Sequence, residues 1–222
     1  MRCSPRALPP MTPQTPQTAA KRSVTLVAGT SGSGKTTFAL RYALNAPVRT
    51  RFFFDSDGEF ALRLKLPPAR DLYELNLGLV RGWCLFDPHQ LFPGRVEDAF
   101  SFYCDWIWLV CERLAGRKAV FVDEVWRHCS PTAIPTELAT IVQTGRRRSV
   151  ELLVTSQQPQ RLHSSLLNEL SEFVSFQLQH PRALEFAGSY GFDPDELRNL
   201  PQMQFVSRNL LTGGELRGKI RL

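Results

Sequence analysis

The sequence lacks the cysteine pattern of a disulfide-stapled or zinc-binding protein. Its 222 residues contain five cysteines, an odd number, and no two of them form a CxxC pair. Paired cysteines at short spacings are what a disulfide framework or a structural zinc site requires. We therefore expect reduced thiols in a cytosol-like compartment.

Long apolar runs are missing as well. The longest spans residues 99–111 and is interrupted by Asp105. It falls short of the roughly 20 residues that a membrane-spanning helix needs. The first 22 residues also lack the apolar core of a secretory signal. The sequence thus predicts no integral membrane segment.

Acidic residues are absent from the first 22 positions, which hold five prolines and four basic residues. This composition cannot bury a hydrophobic core, so we expect residues 1–22 to form a disordered basic tail. Residues 23–222 are expected to form a single domain. The tail supplies +4 of the formal net charge of +6. The charge of the body is therefore weak evidence for nucleic-acid binding.

Short apolar runs alternate with helical stretches along the body. Strands are predicted near 24–28, 51–55, 83–86, 119–123, 151–156 and 172–178, and helices at 35–45, 96–114 and about 135–144. Buried apolar strands separated by helices indicate an α/β fold with a mostly parallel sheet covered on both faces. Two further runs joined by a Thr-Gly-Gly turn predict a C-terminal antiparallel β-hairpin at about 203–221. The stretch from 67 to 94 is punctuated by Pro and Gly, and only its strand at 83–86 is assigned.

The strongest single motif is a glycine-rich loop. Residues 29–36 are Gly-Thr-Ser-Gly-Ser-Gly-Lys-Thr and fit GxxxxGK[ST] between a predicted strand and a predicted helix. Glycines let the backbone N–H groups converge on phosphate oxygens, and the helix adds its positive dipole end. Lys35 is suited to reach the β- and γ-phosphates, and the Thr36 hydroxyl to ligate Mg²⁺. The expected nucleotide-binding residues are Gly29, Thr30, Ser31, Gly32, Ser33, Gly34, Lys35, Thr36 and Thr37.

Two acids end a continuous apolar strand further along. Asp123 and Glu124 follow the run Ala-Val-Phe-Val at 119–122, at the carboxyl edge where open α/β sheets bind ligands. Asp123 is expected to hold Mg²⁺ through water, and Glu124 to orient and deprotonate the attacking water. Acids at a strand end can also be merely solvated, but the phosphate loop upstream favours hydrolysis. ATP and Mg²⁺ are the expected cofactors.

Another strand ends in polar residues. The run Leu-Leu-Val at 152–154 is followed by Thr-Ser and then by Gln157, Gln158 and Pro159. A glutamine at the carboxyl edge can contact both the γ-phosphate and the attacking water, so Gln157 is a candidate sensor of the nucleotide state. The alternative is an ordinary polar loop start.

These motifs together resemble the FtsK/HerA family of P-loop motors that translocate DNA. The family has a Gly-Arg pair, then a strand, then a TQRP run. This sequence is similar, with Gly145-Arg146, a strand and residues 155–159, except that Gln158 stands where the family has an arginine. Residues 55–60 also resemble the D-x-x-G-E that follows the second strand in HerA-like proteins. The similarity covers residues 24–176 in patches. It implies a RecA-like (ASCE) P-loop domain.

Within that family, a bare domain of this size resembles the genome-packaging ATPases of tectivirus-like, membrane-containing viruses. It resembles less closely the Zot-type assembly proteins of filamentous phages. The first resemblance implies an ATP-driven motor whose subunits form a hexameric ring. The ring would package DNA, which we expect to be double-stranded. It also implies docking on a viral capsid vertex or on membrane proteins, in the host cytoplasm or the virion. A Zot-like assembly or secretion ATPase, and a nucleotide-binding assembly protein without translocase activity, stay open.

Three consecutive arginines, Arg146, Arg147 and Arg148, follow the last predicted helix. In ring motors, an arginine of one subunit completes the neighbour's nucleotide site. The register with the family's Gly-Arg favours Arg146 as a catalytic residue. The alternative is a solvated basic cluster at a helix C-terminus, where the dipole favours arginine.

Rival nucleotide-binding classes have less support. A GTPase would need an NKxD run, which is absent, and an ABC-type subunit would need LSGGQ shortly before the acidic strand. A small-molecule kinase would not need an acid directly after Asp123. The aromatic residues at 52–54, with Trp83, Trp106 and Trp108, are expected in the core. Basic residues alternating at 217–221 fit either a DNA-facing surface or a protected edge strand.

Overall fold

One eight-stranded sheet organises residues 24–220, which are the residues that this computed structural model describes. The strands are β1 (Val24–Ala28), β2 (Thr50–Phe54), β3 (Trp83–Phe86), β4 (Lys118–Val122), β5 (Val150–Ser156), β6 (Leu170–Ser175), β7 (Gln204–Asn209) and β8 (Glu215–Lys219). Their order across the sheet is β3-β2-β4-β5-β1-β6-β7-β8. The predicted disordered tail at 1–22 and the end of the predicted hairpin at 221 lie outside the described residues.

Helices connect the strands and cover the sheet. They are α1 (Lys35–Asn45), α2 (Glu59–Leu64), α3 (Leu72–Arg81), α4 (Pro88–Leu91), α5 (Val96–Arg113), α6 (Thr136–Thr144), α7 (Ser164–Leu167), α8 (Pro181–Ser189) and α9 (Pro194–Asn199). No helix between residues 24 and 220 is long and apolar enough to cross a membrane.

The sheet is parallel from β3 to β6 and antiparallel at β7 and β8. This confirms the predicted α/β fold with a mostly parallel sheet and a C-terminal hairpin. The hairpin is not a separate appendage, because β7 pairs directly with β6 and so extends the main sheet.

Alternating side chains of each strand enter two different cores, one on each face of the sheet. Phe52 and Phe54 pack in the larger core with α5, whereas Phe53 packs in the smaller core beside α1. All three rings are completely buried. This is the alternation that a pleated strand imposes, and it explains why a strand covered on both faces is apolar throughout. The prediction that these aromatic residues belong to the core is confirmed.

The helix α3 lies in the stretch that its sequence pattern left largely unassigned. Asp71 caps it by accepting a hydrogen bond from the Glu74 N–H at 2.8 Å, and Gly82 ends it in the left-handed conformation with φ 75°.

The predicted strand at 172–178 is wrong at its end, because β6 stops at Ser175. Beyond that point the chain turns toward α9, where the Leu178 N–H donates to the Leu197 carbonyl.

The four cysteines among the described residues are free and buried: Cys84, Cys104, Cys111 and Cys129. Burial raises the pKa of each of these thiols above its usual value, to about 11 for Cys111. They behave as small apolar core residues, consistent with the predicted reduced state. Cys3 lies outside the described residues.

Candidate nucleotide-binding site

The order of the strands brings the three motifs together. β5 lies between β4 and β1, so the polar end of β5 separates the phosphate loop after β1 from the acids after β4. Because these strands are parallel, their carboxyl ends meet at one edge of the sheet. The predicted site residues Lys35, Asp123, Glu124 and Gln157 converge there.

Two glycines of the phosphate loop are required by close packing. A Cβ atom on Gly29 would lie 2.7 Å from the Phe176 Cβ, and one on Gly34 would lie 2.9 Å from the Phe176 ring. Gly34 also has φ 123°, a conformation that other residues rarely adopt. The loop is closed internally, since the Ser33 hydroxyl and Lys35 Nζ both donate to the Thr30 carbonyl, at 2.8 and 3.1 Å.

The segment before β7 braces the phosphate loop from outside. The Met203 N–H donates to the Ser33 carbonyl at 3.0 Å, and Gln202 Nε2 donates to the Gly32 carbonyl at 3.0 Å. These two residues lie 170 positions from the loop in sequence, and no motif marks them. The sequence therefore did not reveal that the C-terminal hairpin positions the loop.

The carboxylate of Glu124 is the centre of the site. Its Oε1 lies 3.3 Å from Lys35 Nζ and accepts from Gln157 Nε2 at 2.9 Å. Its Oε2 accepts from the Trp126 indole N–H at 2.6 Å and from the Gln157 backbone N–H at 2.9 Å. An ionised carboxylate offers about four lone-pair sites, and four donors face this one. The structure thus joins the predicted lysine, base and sensor and adds Trp126, which the sequence did not single out.

The backbone at Glu124 is strained. Its φ of 44° lies in the left-handed region, which a residue with a side chain occupies only when the surrounding structure holds it there. Here the Glu124 N–H donates to the Thr155 hydroxyl at 3.0 Å. That hydroxyl in turn donates to Asp123 Oδ1. Thr155 therefore fixes both acids, a role that the sequence analysis did not assign to it.

Asp123 is buried, with 4% of its surface exposed. Burial raises its pKa to about 6, and the neighbouring charge of Glu124 adds to the rise, against the Thr155 hydrogen bond and the charge of Lys35. A buried carboxylate with a raised pKa is poorly satisfied by its surroundings, and a divalent cation would stabilise its charged form.

The residues present fit Mg²⁺ as predicted from the motif. Mg²⁺ usually keeps several waters and takes one or two carboxylates together with substrate phosphates, not an all-protein cage. Asp123 supplies such a carboxylate, and Thr36 is half-buried at the start of α1. Among the described residues, no group of three or more acidic, histidine or cysteine side chains could hold a metal by itself. The site therefore suits a cation that arrives with a nucleotide.

The remaining loop residues divide by exposure. Ser31 and Gly32 are exposed, whereas Thr37 is buried in the first turn of α1. The Thr37 hydroxyl accepts a hydrogen bond from Arg63 of α2 at 3.0 Å. An arginine thus stands beside the loop, although no motif predicted it.

The segment that resembles D-x-x-G-E has a structural role at its first acid. Asp55 is 1% exposed and accepts from the N–H groups of Phe60 and Ala61 at 3.1 and 2.8 Å, so it holds the start of α2. Burial raises its pKa despite these bonds. Asp57 pairs with Arg127 at 2.8 Å and ties this loop to the turn that follows Glu124.

The three consecutive arginines have different environments. Arg146 and Arg147 are exposed and line a cavity of about 440 Å³ at the amino edge of the sheet. β5 has seven residues, so at about 3.3 Å per residue this edge lies about 20 Å from the phosphate loop. Arg148 is held within the fold, with its guanidinium 3.5 Å from the centre of the Trp108 ring.

The basic residues of β8 are engaged in ion pairs or lie at the sheet edge. Arg217 pairs with Glu196 at 2.7 Å and with Glu215 at 2.5 Å. Its charge is therefore neutralised locally, which favours the edge-strand interpretation over a DNA-facing one. Lys219 is exposed at the end of the strand, and Arg221 lies outside the described residues.

Comparison with known proteins gives structural neighbours only. No family model matches the chain, and no curated protein matches its sequence. The genome-packaging NTPase B204 of Sulfolobus turreted icosahedral virus 2, solved with AMP, superposes with a TM-score of 0.72 at 14% identity, covering 92% of this chain and 100% of B204. VirB4 of Thermoanaerobacter pseudethanolicus superposes with a TM-score of 0.65 at 15% identity, covering 90% and 89%.

B204 was also solved in complex with ATP-γ-S. That structure superposes on this chain with a TM-score of 0.67 at 15% identity, covering 90% of this chain and 98% of B204. The likeness to these structures confirms the predicted RecA-like P-loop fold class. At such low identity the likeness establishes the fold alone.

Proposed function

We propose that this chain is an ATP-hydrolysing motor that translocates DNA, packaging a viral genome into a preformed capsid. One observation carries the proposal. Buried Lys35 and Glu124 form one hydrogen-bonded cluster with half-buried Gln157 at the carboxyl edge, in a fold shared over the whole length of a viral genome-packaging NTPase.

The cluster suits hydrolysis better than nucleotide binding alone. The loop amides and Lys35 would bind the phosphates, and Thr36 with Asp123 would hold Mg²⁺, which neutralises charge on the phosphates when bound. Glu124 would orient a water and take its proton, while Gln157 would contact the water and the γ-phosphate. A protein that only holds nucleotide does not need a carboxylate at the position of Glu124.

A ring assembly is supported by the position of Arg146. It lies at the amino edge, about 20 Å from the phosphate loop of its own chain, so it cannot reach a γ-phosphate bound there. An exposed arginine at that edge can instead enter the site of an adjacent copy. We propose a homo-oligomeric ring, a hexamer, with Arg146 acting in trans.

The proposed partner is double-stranded DNA passing through that ring. A ring multiplies a modest positive charge around one channel and focuses its field there. By resemblance to the packaging ATPases, the motor would dock on capsid vertex or membrane proteins, in the host cytoplasm or the virion.

The proposal is tested by steady-state ATP turnover with and without double-stranded DNA, together with displacement of a third strand from a triplex as the measure of translocation. A motor should hydrolyse faster with DNA and should displace the strand. Turnover that is unaffected by DNA, with no displacement, would favour an assembly protein that lacks translocase activity.

A further inference from the structure

A second cavity lies at the carboxyl edge, next to the nucleotide site. It has a volume of about 780 Å³, and its lining includes Gln158, Arg161, His180 and Arg182. The lining holds two arginines and one carboxylate, Glu185, so the groove is positively charged on balance. Its chemistry suits the phosphate groups of a polynucleotide backbone, which arginine recognises with paired hydrogen bonds.

One arginine of this groove also contacts the residue that restrains Glu124. The Arg161 guanidinium lies 5.1 Å from the centre of the Trp126 ring and donates to Gln158 Oε1 at 3.3 Å. The indole N–H of Trp126 donates to Glu124 Oε2 at 2.6 Å. Three side chains thus form a continuous path from the groove to the proposed general base.

Four donors face the roughly four lone-pair sites of the Glu124 carboxylate, two at each oxygen. Lys35 and Gln157 face the phosphate loop, so the phosphates of a nucleotide compete for their hydrogen bonds. The indole N–H of Trp126 donates to Oε2, whereas Lys35 lies at the other oxygen, Oε1. Nucleotide binding therefore frees Oε1 but leaves Oε2 bonded to the indole, which holds the carboxylate in place and makes it a weaker acceptor for the proton of water.

We propose that Trp126 is a positioning residue that restrains Glu124, and that a DNA phosphate bound in the groove at Arg161 relieves the restraint. This inference rests on the proposed DNA-translocating function. A charge-assisted bond from Arg161 to phosphate is stronger than the cation–π contact it replaces. When the Arg161 guanidinium leaves the ring, the indole keeps a more distant cation–π contact with Arg127, at 5.9 Å. It then holds Oε2 less firmly, and Oε2 becomes available to water.

The experiment measures kcat and KM for ATP in the full chain, with and without saturating double-stranded DNA. Trp126→Phe keeps a ring but removes the N–H donor, so its kcat without DNA should rise about tenfold, the value of one hydrogen bond to a charged group. Its KM should stay unchanged, and DNA should add little further stimulation. Arg161→Ala should lose stimulation, whereas Arg161→Lys, which keeps the charge, should retain part of it.

Two control variants test whether the effect of Arg161→Ala comes from the contact with Trp126, from weaker DNA binding, or from the loss of any positive charge. Arg182→Ala lies in the same groove without contacting Trp126, so it should weaken the apparent affinity for DNA but keep the full stimulation at saturation. Arg113→Ala removes an exposed arginine at the end of α5, far from the groove, and should change neither quantity.

Two results would overturn the inference, and they are distinguishable. If DNA stimulates wild type, Trp126→Phe and Arg161→Ala to the same extent, the relay is wrong while the motor proposal stands. If DNA does not stimulate wild type, the motor proposal itself fails and the relay falls with it. Should Trp126→Phe fail to fold, which thermal unfolding reveals, the contrast between Arg161→Ala and Arg161→Lys still decides.

Discussion

Lys35 Nζ lies 3.3 Å from Glu124 Oε1, and the two side chains are only 6% and 5% exposed. The residue expected to bind phosphate is thus paired with the residue expected to activate water. A phosphate that enters the loop must compete with Glu124 for this lysine. The same competition would release Oε1 of the carboxylate as nucleotide binds, so that binding and activation of the base are linked.

Glu124→Gln should abolish hydrolysis while preserving ATP binding. The amide cannot accept the proton of water, and loss of general-base catalysis costs about 100-fold or more in kcat. Affinity for ATP should rise, because the amide competes less strongly than a carboxylate for Lys35. Turnover and nucleotide affinity, measured on the same preparation, check both expectations.

Lys35→Ala is the matched control for that variant. It should weaken ATP binding itself, since the loop loses the charge that faces the β- and γ-phosphates. Near-wild-type turnover in Glu124→Gln would mean that water is activated elsewhere and that the proposed chemistry is wrong.

Asp123 should make the stability of the nucleotide-free protein depend on pH. Its pKa rises from an ordinary 3.8 to about 6 because the carboxyl is buried, so the folded state binds the proton more tightly than the unfolded state. The free energy of unfolding therefore falls as pH rises from about 4 to about 6. Asp123→Asn removes this penalty and should stabilise the protein by about 3 kcal/mol at pH 8.

Urea denaturation tests this pH dependence when wild type and Asp123→Asn are compared without Mg²⁺ or nucleotide. The difference between them should be present at pH 8 and should shrink toward pH 4. A difference that does not change with pH would show that Asp123 titrates near its ordinary value. With ATP and Mg²⁺ added, the order should reverse if Asp123 holds the cation.

The fold and the centre of the site were accessible to sequence reasoning because their signals are local. The loop at 29–36 needs specific residues at adjacent positions, and the acids after β4 follow a strand buried on both faces. A parallel sheet then places these strand ends at one edge, so that Lys35 and Glu124 could be predicted to lie together.

The other residues of the site could not be predicted because they act across long separations or through a single contact. Gln202 and Met203 brace the phosphate loop from the far end of the chain. Trp126 was overlooked because an aromatic residue after a strand is usually a core residue. Its importance depends on the orientation of one N–H, which no pattern encodes.

Replacing Arg148 by alanine should change the free energy of unfolding more than replacing Arg146. Arg148 lies over Trp108, donates to the Trp108 carbonyl at 2.6 Å and pairs with Glu112 at 2.5 Å. Arg148→Ala should therefore lower the free energy of unfolding by about 1–2 kcal/mol. Arg146 is exposed, so Arg146→Ala should change it by no more than about 0.5 kcal/mol. Equal destabilisation in the two variants would contradict this assignment.

Mixed assemblies should recover activity that neither parent has. If Arg146 completes the site of a neighbouring copy, Arg146→Ala subunits keep an intact phosphate loop but cannot complete a neighbour, and Lys35→Ala subunits have the opposite defect. Each variant should be inactive alone. In a mixed ring, an intact loop next to a subunit that bears Arg146 restores one working site, so turnover should reappear on mixing.

The same trans arrangement predicts that turnover per subunit rises with protein concentration as the ring assembles. Arg146→Ala subunits mixed with subunits that carry both Arg146→Ala and Lys35→Ala are the control for the mixing experiment, because no subunit in that mixture bears Arg146 and turnover should stay absent. Sedimentation run beside the assay identifies the active species. If mixing never restores turnover and the active species is a monomer, the ring is wrong and Arg146 is a solvated charge at the end of α6.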